Sequence, residues 1–81
     1  MGPRTQPCVV VGFATTDDAM ALADEAARAG LRGRLIPIPR VLSAGCGMAW
    51  REPRDNEAAL ERALRAAGVA ADVRAEMALP V

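Results

Sequence analysis

CVVVGFATTDDAMALADEAARAG, residues 8–30, changes its period half-way along, and that change decides the fold. Cys8 to Phe13 is a short apolar run rich in β-branched residues, which reads as a buried strand. Thr15 or Thr16 then serves as a helix N-cap, with Asp17 and Asp18 in the first turn, where acidic groups favour the helix dipole. Ala19, Leu22, Ala23 and Ala26 recur at the i, i+3, i+4, i+7 spacing of an apolar helix stripe. Gly30 is placed to stop the helix. Asp24 and Arg28 are spaced to pair on its outer side. A stripe made mostly of alanine predicts a helix lying close against a sheet.

The same alternation of periods recurs downstream. Arg32–Ile38 reads as a second strand, and Pro37 and Pro39 suit an edge position. A loop over 39–47 leads to a short third strand, Met48–Arg51. Pro53 and Asp55 open a second helix with an inner face of Leu60, Ala63, Leu64 and Ala67, closed by Gly68. In the last strand Ala71, Val73, Ala75 and Met77 alternate with Asp72, Arg74 and Glu76, the pattern of a strand with one packed face and one wet face. The order β-α-β-β-α-β is the split βαβ or ferredoxin-like motif of the α+β class. Right-handed crossovers then put both helices on one face of a four-stranded antiparallel sheet, with the first and third strands central. Residues 1–7, with two prolines, read as a flexible N-terminal tail, and 8–81 as a single domain.

Composition narrows the chemistry. An 81-residue chain makes one small domain, burying roughly 60% of its unfolded surface. Ten acidic groups balance ten arginines, and the arginines are scattered, so no nucleic-acid partner is expected. The longest run of low polarity, Cys8 to Thr15, is far too short to cross a bilayer, and the N-terminus lacks a signal-like pattern; a cytoplasmic protein without a membrane partner is expected. The sequence has no His, Lys or Tyr. Ser-His and Cys-His nucleophile pairs, Schiff-base chemistry and a P-loop therefore drop out. No metal site and no cofactor are expected.

What remains is the thiol of Cys46, flanked by Gly45 and Gly47. In the βαββαβ topology the loop between the second and third strands lies at the same end of the sheet as the turn into the first helix. Cys46 is therefore expected near Thr15 and Thr16, where unpaired helix N–H groups favour an anion. Arg40, in the same loop, acts in the same direction, while Asp17 and Asp18 oppose it. Gly45 and Gly47 can take positive φ, let another backbone approach, and shape an anion-binding nest. A tight turn enclosing one small inert residue would use the same three letters. Cys8, at the start of an apolar strand, reads as core filler. It lies roughly 20 Å along the strand from Cys46, too far for a disulfide.

Residues 36–49, IPIPRVLSAGCGMA, resemble the signature of the putative selenium/sulfur (Se/S) carrier protein-like family, a group of short bacterial and archaeal domains. The matching positions are Ile36, Pro37, Pro39, Arg40, Ser43, Cys46 and Gly47, and the region of Phe13, Thr16 and Ala19 resembles the family's opening. Gly45 stands where many members carry Ser. The resemblance implies a carrier or accessory protein rather than a stand-alone enzyme. Cys46 would hold a persulfide or selenosulfide, with Arg40 and Ser43 stabilising the anion. Its partners would be a donor such as a cysteine desulfurase and an acceptor protein, and a homodimer is compatible with the fold. The other open reading is a non-catalytic ligand-binding or regulatory module. Phe13 and Trp50, on the two central strands, are expected in the core rather than on an RNA-stacking surface.

Overall fold

The computed structural model describes residues 4–81. It comprises β1 (Thr5–Gly12), α1 (Thr16–Ala29), β2 (Arg34–Pro37), β3 (Met48–Pro53), a 3-10 turn (Arg54–Asn56), α2 (Glu57–Ala67) and β4 (Val73–Pro80). All four strands form one antiparallel sheet in the order β2-β3-β1-β4. This is the α+β ferredoxin-like split βαβ arrangement, with β1 and β3 central and β2 at an edge.

Thr15 caps α1: its Oγ1 accepts the Asp18 N–H at 3.1 Å. Gly30 and Gly68, both left-handed, end the two helices. The helices cover one sheet face. Val9, Val11 and Trp50 from the strands, with Phe13 just past β1, meet Ala19, Leu22 and Ala26 of α1 and Leu60, Ala63 and Leu64 of α2. Phe13 is fully buried and Trp50 nearly so, which places both aromatics in the core. Arg28 pairs with Glu25 at 2.8 Å instead of the expected Asp24, one turn-position closer along the helix.

Strand β1 begins earlier than the sequence suggested. Thr5, Gln6 and Pro7 are not tail but strand, paired with Pro80, Leu79 and Ala78 of β4. Residues 1–3 of the expected tail lie outside the described residues. Pro7 is tolerated because β3 pairs with β1 only from Cys8 onward, so β1 has a single neighbour at Pro7 and its missing N–H need not interrupt a ladder. Strand β2 is shorter than expected at its start. The N–H groups of Arg32 and Gly33 are not used in the sheet; they donate to the carboxylate of Glu52 at 2.8 and 2.9 Å.

That carboxylate is fully buried on the helix side of β3. Its Oε1 also accepts from Trp50 Nε1 at 2.9 Å, and its Oε2 from Asn56 Nδ2 at 2.8 Å. Four donors thus converge on one buried anion, tying the α1–β2 connection, β3 and the start of α2 together.

Strand β4 alternates as read, with its apolar residues part-buried on a core and its polar residues exposed. Met77 and Leu79 pack with Cys8, Val10 and Ala49 on the helix-free face, alongside Ile36, Ile38 and Leu42. The polar side faces the helix layer: Arg74 pairs with Glu57 and Glu61 of α2, and Glu76 with Arg54 at 3.2 Å. Partial burial works against the Arg74 charge, but its hydrogen bonds to Glu57 and Glu61 outweigh this and hold its pKa above the ordinary arginine value.

Candidate functional site

The connection from β2 to β3 is closed at its mouth by the Ile38 N–H donating to Gly47 O at 2.9 Å. Two turns shape what lies between. The Leu42 N–H donates to Pro39 O at 2.9 Å, and the Gly47 N–H donates to Ala44 O at 3.2 Å. The second turn holds Gly45 and Cys46 at its two central positions.

This turn docks on the segment entering α1. The Cys46 N–H donates to Phe13 O at 3.2 Å, and the Phe13 N–H donates to Met48 O at 3.3 Å. The topological placement of Cys46 beside the start of α1 therefore holds for its backbone. The two glycines divide the work. Gly47 has φ +71°, a conformation that strains any residue with a Cβ. Gly45 permits close approach, since a Cβ there would lie 2.4 Å from the Ala14 carbonyl oxygen. The Ser that resembles the family pattern at this position would not fit this backbone without moving it.

The Cys46 side chain is half-buried, its inner side packed at the margin of the helix-side core. The Met48 N–H donates to its Sγ at 3.4 Å, a contact that suits a sulfur anion as well as a thiol. In the other direction the Sγ lies 3.8 Å from Met48 O. Sequence reasoning missed this backbone donor, because a side chain turning back on the residue two ahead leaves no mark in the letters. Arg40 and Ser43 are exposed in the same loop, and among the described residues neither makes a side-chain hydrogen bond or ion pair. Thr15 and Thr16 are exposed beside the site, the Thr15 hydroxyl being engaged in capping α1.

Cys8 differs in every respect. It is fully buried on the helix-free face, its Sγ 3.6 Å from Gln6 O and 3.5 Å from a guanidinium nitrogen of Arg51. Both cysteines are free. No helix among the described residues is long and apolar enough to cross a membrane.

A family model described as "Putative Se/S carrier protein-like" matches residues 8–73, from the first strand to the start of the last and including the whole Gly-Cys-Gly loop. The chain belongs to this family. Within a Se/S carrier-like domain the relevant contrast is between two sulfurs, Cys46 half-open on a pinned loop and Cys8 sealed in the sheet. No curated protein and no solved structure matches the chain.

Proposed function

We propose that the protein carries a sulfur or selenium atom on Cys46 and relays it between a donor and an acceptor protein. The Cys46 thiolate attacks the outer sulfur of a donor persulfide. A new S–S bond forms as the donor's S–S bond breaks, and the donor leaves as a thiolate with the bonding electron pair. Cys46 is left as a persulfide. An acceptor thiolate then attacks the outer sulfur and releases Cys46 as a thiolate. A selenosulfide passes selenium by the same two displacements. Neither step has net oxidation, so neither calls for an oxidant or a reductant.

The half-exposed Cys46 Sγ on a backbone-pinned turn, within the region matched by the carrier-like family, is the observation that carries this reading. The Met48 N–H aimed at the sulfur supports it, because that donor is in place for an anion before any partner arrives. Arg40 and Ser43 stand in the same loop as additional donors to the persulfide, and Thr15 and Thr16 border it.

The test is peptide-resolved mass spectrometry after incubation with a cysteine desulfurase and cysteine, followed by alkylation. One added sulfur on the Cys46 peptide and none on the Cys8 peptide is the expected result. An unmodified Cys46 that alkylates at the rate of an ordinary free thiol would overturn the carrier reading.

A further inference from the structure

The sheet has two edges, and the sequence treats them differently. The β2 edge has four residues, ends in Pro37 and is followed by Pro39, so it cannot extend a ladder. The β4 edge has eight residues, Val73–Pro80, with no strand beyond it among the described residues and a proline only at its last position. Its charged side chains do not guard it. Arg74 and Glu76 both point to the helix layer, where they pair with Glu57, Glu61 and Arg54. A long regular edge of this kind is a template for another strand.

We propose that β4 pairs antiparallel with β4 of a second copy, joining two sheets into one of eight strands. The charges select the register. Around a twofold axis at Ala75, Arg74 stands opposite Glu76 of the second copy, and Glu76 opposite its Arg74. Sliding the strands by two residues one way sets Arg74 against Arg74; sliding them the other way sets Glu76 against Glu76. Opposite charges directly across a strand pair stabilise it and like charges destabilise it. On the other face the same register lines up Val73 with Met77 and Ala75 with Ala75, continuing the apolar helix-free surface across the seam. Because each copy has one usable edge and uses it on a twofold axis, the assembly closes as a dimer and does not grow into a filament.

Sedimentation equilibrium from micromolar to millimolar protein tests this. The expected result is a reversible transition from the 8.5 kDa chain to twice that mass. Glu76→Arg turns both cross-seam pairs into like-charge pairs and weakens the dimer by about tenfold or more. The same variant gives up only one exposed intrachain ion pair, so its circular dichroism is unchanged. Ala75→Cys, in a Cys46→Ser background with Cys8 buried, is captured as a dimer by a short thiol-to-thiol cross-linker. A monomer over the whole range overturns the proposal. So does a dimer that Glu76→Arg leaves intact, or one in which position 75 does not cross-link to itself.

Discussion

Replacing Glu52 by Gln keeps the shape of the side chain and removes one of the two acceptors on which the fold converges. Each carboxylate oxygen serves two donors: Oε1 takes Trp50 Nε1 and the Gly33 N–H, both at 2.9 Å, and Oε2 takes the Arg32 N–H and Asn56 Nδ2, both at 2.8 Å. Whichever way the amide turns, two donors face an NH₂ group. A hydrogen bond to a charged acceptor contributes about 1.5–3 kcal/mol net, so two lost bonds amount to about 3–6 kcal/mol. Water can reach the part-buried Arg32 and Asn56 donors, which favours the amide orientation that gives those up and puts the net loss near the lower bound, about 3 kcal/mol. For a domain of this size that lowers the melting temperature by roughly 12–24 °C. Urea and thermal unfolding followed by far-UV circular dichroism and Trp50 fluorescence measure it, Trp50 being the single tryptophan and a direct partner of Glu52. Parent and Glu52→Gln midpoints that coincide would refute the reasoning, since a buried carboxylate with four real partners cannot lose half its accepting capacity without cost.

Two further substitutions separate fold from site. Gly45→Ala puts a Cβ against the Ala14 carbonyl and is expected to push the turn off the α1 entry, with a stability loss of about 1–3 kcal/mol and a changed alkylation rate at Cys46; thiol-labelling kinetics beside a urea melt check both. Thr15→Ala removes the α1 cap and should cost about 1 kcal/mol in the same melt, with little change in Cys46 labelling, because the hydroxyl is directed at Asp18 N–H.

Much of the fold was legible because periodicity is a local signal. The switch from strand to helix between Phe13 and Thr16, the glycine stops and the prolines of β2 all pointed to the observed elements, and topology alone carried Cys46 to the α1 entry. Three things were not legible, each for a long-range reason. The start of β1 at Thr5 depends on β4 running eight residues beside it, which no local pattern near Pro7 reveals. Alternation gave β4 a packed and a wet face but not which one meets the helices; salt bridges to α2 decide that. Glu52 was passed over as a polar residue at a strand end. Its parity with Trp50 was the available clue, since residues two apart in a strand share a face and Trp50 was expected inside. At the site, the residue and its loop were readable, while the Met48 donor and the separate duties of Gly45 and Gly47 came only from the backbone geometry.

The central claim is that Cys46, and not Cys8, passes the atom on. The most direct measurement is a single-turnover relay, in which protein preloaded with ³⁵S from a desulfurase is mixed with an acceptor thiol protein and label is followed on both. The account predicts that Cys8→Ala transfers like the parent, while Cys46→Ser neither loads nor delivers label although it folds normally. Equal transfer by Cys46→Ser and the parent would contradict it.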